Sequence, residues 1–154
     1  MHYREASLND LPALLAIEQY IIETERPVDP LLKAKNALYY DLESLITSTD
    51  AVVMVAEEND EIIATGYAKI CRSEQWYEHD SHTYLGFMYV AEHHRGQGMN
   101  QKIINILKEW SRSRGIHHLY LEVYTDKDHA IRAYEKAGFH PHVLEMRLNL
   151  DETS

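Results

Sequence analysis

The sequence predicts an α/β domain with a mixed sheet, in which a parallel central strand pair is flanked by about four helices. Three patterns carry that reading. Ala51-Val52-Val53-Met54-Val55-Ala56 and Ile62 to Ile70 are apolar, partly β-branched runs joined by Glu58-Asn59-Asp60-Glu61, which reads as an antiparallel hairpin. Tyr84-Leu85-Gly86-Phe87-Met88-Tyr89-Val90 leads through a glycine-containing loop into an amphipathic helix and then into the strictly alternating His118 to Tyr124, a right-handed parallel βαβ unit. From Val143 to Asp151, Leu144, Met146, Leu148 and Leu150 alternate with Glu145, Arg147, Asn149 and Asp151, the pattern of a half-buried antiparallel strand.

The remaining elements follow in order. His2-Tyr3-Arg4-Glu5 reads as a short first strand. Ser7-Leu8-Asn9-Asp10 places a capping hydroxyl three residues before an acid, a capping-box-like helix start with Asp where Glu or Gln is usual. Leu11, Leu14, Leu15, Glu18, Ile21 and Ile22 recur at helical spacing, and Pro12 sits in the first turn, where its missing N–H costs nothing. The two-proline loop from Glu23 to Pro30 ends that helix. Leu38, Leu42, Leu45 and Ile46 then share one face of a second helix ending near Ser48. After the central strand, Met99, Ile103, Ile106, Leu107 and Trp110 form one apolar stripe, with Arg112 and Arg114 suited to the negative helix end and Gly115 placed to stop it. A last helix starts after Thr125-Asp126-Lys127-Asp128, carries Ala130, Tyr134 and Ala137 on one face, and ends at Gly138.

The chain of 154 residues suits a single domain, 1–154, able to bury roughly two-thirds of its unfolded surface. It is 45% hydrophobic and 26% charged, with no apolar run long enough to cross a membrane and no apolar leader in Met1-His2-Tyr3-Arg4-Glu5, so a cytoplasmic protein without a membrane partner is expected. Cys71 is alone and reads as a buried small hydrophobe. The net charge of −10 argues against a nucleic-acid partner, which needs clustered Lys and Arg, and suits a cationic substrate. The loop from Arg72 to Ser81, with Trp76 and Tyr77 among Glu74, Glu78, His79 and Asp80, has the acid and aromatic groups that hold an ammonium, although a solvated loop has the same composition.

Arg95-Gly96-Gln97-Gly98-Met99-Asn100 opens a helix directly behind the central strand. Glycines there allow close approach of an anion to the free N–H groups of the first turn. A P-loop needs Gly-Lys-Ser/Thr, which this loop lacks. A dinucleotide fingerprint needs a third glycine, where Gln101 stands. The remaining pattern, R-x-x-G-x-[GA], is the pyrophosphate loop of the acetyl-CoA-dependent GNAT N-acetyltransferases, which Arg95 and Gly98 resemble; Asn100 departs at its last position. Downstream, Ala130-Ile131-Arg132-Ala133-Tyr134-Glu135-Lys136-Ala137-Gly138-Phe139 resembles the second GNAT motif, A-x-x-x-Y-x-K-x-G-F.

That resemblance implies the GNAT acyl-CoA N-acyltransferase fold, acetyl-CoA as cosubstrate, and transfer to a primary amine by direct attack in a ternary complex. It assigns Tyr134 as the acid that protonates the leaving thiolate. It places backbone contacts to the pantetheine at Met88, Tyr89 and Val90, the pyrophosphate at Arg95, Gly96, Gln97, Gly98, Met99 and Asn100, and a further pantetheine contact at Lys127, where the family has asparagine. The general base stays open among Glu122, Glu25, His82 and a water chain, since Thr83 to Val90 holds no acid. A small-molecule amine is the expected acceptor; a protein or peptide acceptor and a non-catalytic acyl-CoA-binding module are the alternatives. Paired C-terminal strands suit a homodimer by analogy. The ten histidines lack tetrahedral ligand spacing, so no metal is expected.

Overall fold

The computed structural model describes residues 1–151. Five strands, β1 (His2–Glu5), β2 (Ala51–Glu58), β3 (Glu61–Arg72), β4 (Ser81–Val90) and β5 (Leu119–Tyr120), form one sheet in that order. All pairings are antiparallel except β4 with β5, which is parallel. The helices are α1 (Leu11–Glu25), α2 (Leu42–Thr47), α3 (Met99–Ser113) and α4 (Asp128–Lys136). Asn59 and Asp60, at φ of 52° and 62°, turn the β2–β3 hairpin, as the twist of two-residue hairpin loops requires.

Alternation in β2 divides the core. Val52, Met54 and Ala56 face the α3 side, where Ala64, Ala68 and Leu85 meet Met99, Ile103 and Leu107. Ala51, Val53 and Val55 face the other side, with Phe87, against Leu14 of α1 and Leu42 and Leu45 of α2. Each such leucine, fully buried, contributes about 1.5–3 kcal/mol. Of the stripe read for α3, Met99, Ile103 and Leu107 are buried and Ile106 and Trp110 partly buried, with Ile104 and Ser111 added to the buried set.

Several expectations are corrected. The capping box read at Ser7 and Asp10 is present, but it opens a 3-10 turn, Leu8–Asp10, before α1 begins. Asp10 accepts the Ser7 backbone N–H at 2.8 Å and is also bound by Arg4, whose guanidinium holds its carboxyl down at about 2. The second helix starts at Leu42, leaving Leu38 exposed. The reason is local: Asp41 caps α2 by accepting the Ser44 N–H at 3.1 Å, while Glu18 accepts the N–H groups of Tyr39 and Tyr40 at 2.9 and 2.8 Å and keeps them out of the helix. Cys71 is only half-buried, near the end of β3.

The strand read over His118 to Tyr124 survives as two residues, paired through Thr83–Leu119 and Tyr84–Tyr120. The last strand, Val143 to Asp151, does not form; Leu144, Met146, Leu148 and Leu150 are 66–85% exposed. Alternation chooses a face, but a strand also needs a ladder beside it, and a two-residue β5 offers almost none. Arg147 and His142 tie this segment down instead, through Asp29 and Tyr77.

Candidate active site

The β4 strand carries a bulge beyond its pairing with β5. Its register against β3 shifts between Thr65 and Tyr67, so that Phe87 and Met88 stand opposite the single Gly66. Phe87 has φ of 55°, uncommon for a residue with a bulky side chain, in a bulge of the kind that bends and twists its strand. Two contacts hold it. The Thr65 hydroxyl donates to the Phe87 carbonyl at 2.6 Å, and the Phe87 ring is buried against Tyr40. Gly66 is required by close approach, since a Cβ there would lie 2.6 Å from Ile103 Cγ2. The parallel ladder with β5 ends at Tyr84 and Tyr120, short of the bulge, so Met88, Tyr89 and Val90 lie on the stretch of β4 that has no β5 partner.

The glycine loop follows directly from this stretch of β4. After a short 3-10 turn, Glu92–His94, the Arg95 guanidinium donates to the Val90 carbonyl at 3.2 Å and fixes the loop to the strand. Gly98, at φ of 78°, caps α3 in the left-handed region, and nothing lies within 4 Å of where its Cβ would be. The requirement there is conformational, and the space above the first turn of α3 is open. Gln101 donates to the Ala133 carbonyl at 2.8 Å, anchoring α4 to α3 beside the loop.

A polar cluster joins the end of α1 to the start of α4. Glu25 accepts a 2.6 Å bond from the Lys127 ammonium, with the Glu25 side chain 12% and that of Lys127 35% exposed. Asp29 accepts from the Tyr124 hydroxyl at 2.8 Å and from Arg147 at 2.9 Å, and these bonds, Arg147 first, hold its carboxyl below the usual range. The Tyr39 hydroxyl is buried beside Glu25 and Tyr124 without a hydrogen bond of good geometry, and burial first, then Glu25, raises its phenol far above the ordinary value. Tyr134 extends from α4, its ring edge-on to Phe139 at 6.1 Å. Burial, with the Glu25 carboxylate adding to it, pushes its phenol up to about 12. Tyr134 is therefore protonated at neutral pH, a donor and not a base.

Residues 16–139 match the family model described as "Acetyltransferase (GNAT) family". The chain belongs to the GNAT acetyltransferase family. A segment of 62 residues is 36% identical to the uncharacterized N-acetyltransferase YobR of Bacillus subtilis (strain 168), covering 40% of this chain and 25% of that protein. The fold matches a predicted acetyltransferase of Clostridium acetobutylicum solved with acetyl-CoA, at a TM-score of 0.77 and 23% identity, over 99% of this chain and 97% of that one. It also matches the aminoglycoside antibiotic 6'-N-acetyltransferase AAC(6')-IG of Acinetobacter haemolyticus, at 0.72 and 16%, over 98% and 100%.

In this GNAT chain the residues expected at the site differ in how they are placed. Met88, Tyr89 and Val90 end β4, with Tyr89 packed edge-on to Tyr20 at 5.9 Å. Arg95, Gly96, Gln97 and Gly98 are exposed on the loop, and Asn100 is half-buried in the first turn of α3. Met99 is buried in the core with Ile103 and Leu107. Lys127, at the family's asparagine position, reaches Glu25. Of the base candidates, Glu25 lies in the field of Tyr134, whereas Glu122 is exposed beside Tyr84 and His82 meets Ser73 at 2.9 Å near the start of β4. Sequence reading missed Asp29, Tyr39 and Tyr124, which no local pattern connects. It also missed the bulge, for which Gly66 inside an apolar strand was the available signal.

Proposed function

We propose that the chain transfers the acetyl group of acetyl-CoA to the primary amine of a small cationic molecule, by direct attack in a ternary complex. One observation carries this reading: the largely buried Glu25 carboxylate at the end of α1 holds an ammonium, that of Lys127 at 2.6 Å, at the start of the helix that carries Tyr134. The family supplies the cosubstrate. Free N–H groups of the α3 first turn, presented by Gly98, suit its pyrophosphate, and the backbone of Met88 and Val90 suits its pantetheine.

Each residue has a task set by its chemistry. Glu25 binds the acceptor ammonium and takes its proton, because only the neutral amine attacks a thioester. An amide N–H of the Phe87–Met88 bulge, outside the β3 ladder, stabilises the oxyanion. Tyr134 gives its proton to the departing thiolate. Asp29, Tyr39 and Tyr124 extend the cluster with acidic and hydroxyl groups suited to a polar cation, in keeping with the net charge of −10. The aminoglycoside acetyltransferase of like fold supports a small-molecule acceptor.

The test is thiol release from acetyl-CoA across a panel of monoamines, linear diamines, aminoglycosides and lysine peptides. A small cationic amine is expected to turn over, with intersecting initial-rate lines when both substrates are varied. Parallel lines would replace direct attack with a covalent intermediate. Turnover of peptides alone would overturn the small-molecule reading.

A further inference from the structure

The Lys127 amine occupies the place that the proposed mechanism reserves for the acceptor. Its Nζ is 2.6 Å from the Glu25 carboxylate, the group assigned to bind an ammonium and remove its proton. It also lies 5.7 Å from the centroid of the Tyr124 ring, so a carboxylate and an aromatic face hold it together. The backbone around it is set: Lys127 precedes the first turn of α4, and its carbonyl accepts the Ile131 N–H at 3.0 Å. Tyr134 stands on the same helix, and side chains on a helix lean back toward its N-terminus, toward Lys127. The Glu25 carboxylate acts on the Tyr134 phenol as well. An amine and a carboxylate thus meet at the start of the helix that carries Tyr134, without any added acceptor.

We propose that Lys127 is an internal acceptor, acetylated by the chain itself when acetyl-CoA is bound and no competing amine is present. This rests on the reading of Glu25 and Tyr134 given above. The ammonium passes one proton through Glu25 to solvent. The neutral nitrogen forms a bond to the thioester carbonyl carbon, and the carbon–sulfur bond breaks. Tyr134 protonates the departing thiolate, and the second proton leaving nitrogen restores the phenol. The products are Nε-acetylated Lys127 and free CoA thiol. Acetylation removes the charge of Lys127 and ends its ion pair, which frees Glu25 for an external ammonium.

The experiment incubates the whole chain with acetyl-CoA alone and follows acetylation of each lysine by peptide mass mapping. Lys127 is expected to react at least about tenfold faster than Lys102 or Lys136, with Tyr134→Phe slowing it by about tenfold or more. In urea-unfolded chain that preference should vanish. Lys127→Arg, which keeps a cation beside Glu25, should remove the added acetyl group while leaving the other lysines unchanged. Thiol release with the amine panel is measured in parallel. Amine turnover with Lys127 acetylated no faster than Lys136 would overturn this inference alone. Absence of both turnover and Lys127 acetylation would overturn it together with the function on which it rests.

Discussion

Tyr134 is a phenol raised to about 12 by burial and by Glu25, and its protonation state decides what it can do. A group with that value is protonated throughout the range in which the protein is studied, so it donates at every such pH. In the wild-type chain, activity should therefore show no alkaline fall attributable to Tyr134 below about pH 11. Tyr134→Phe should lower kcat by about 10²- to 10⁴-fold. A mutant within twofold of wild type, as an order-of-magnitude threshold, would exclude Tyr134 from the chemistry. Tyr134 was legible because a local motif spells it. Glu25 was one of several open candidates for the opposite reason: its partner Lys127 lies 102 residues away, and no local spacing encodes that contact.

At the scale of elements, hydrophobic periodicity located the helices and the first four strands, while ladder geometry decided the rest. Alternation in His118 to Tyr124 is real, but pairing with β4 ends after Tyr84 and Tyr120, and β4 goes on to a bulge at Phe87 and Met88. The apolar row from Val143 to Leu150 then meets no strand on which to form. Similarly, Leu38 had helical spacing, but Glu18 binds the N–H groups of Tyr39 and Tyr40 in a non-helical turn. A side-chain carboxylate overrode periodicity there. The bend depends on small residues, because a Cβ at Gly86 would stand 2.5 Å from the Tyr67 ring, which is itself packed between Tyr40 and Tyr84. Gly86→Ala should cost about 1–3 kcal/mol of stability, read as a lower urea midpoint at constant slope. An unchanged midpoint would mean that the Tyr67 ring is free to move away.

For the molecule as a whole, the sheet separates two helical layers, and the candidate site draws on both. Glu25 comes from the end of α1 on one face, and Lys127 and Tyr134 come with α4, which is tied to α3 on the other by Gln101. The Glu25–Lys127 ion pair joins the two. Among the described residues no helix is long and apolar enough to cross a membrane. If the glycine loop and the adjoining end of β4 bind acetyl-CoA, thermal unfolding with acetyl-CoA, ATP or NAD will show it. A ligand that binds only the folded chain at about 100 times its Kd stabilises by about 2.7 kcal/mol, a rise in Tm of several degrees for a domain of this size. A rise with acetyl-CoA, absent with ATP and NAD, is the predicted result. A rise with ATP or NAD and none with acetyl-CoA would contradict the account.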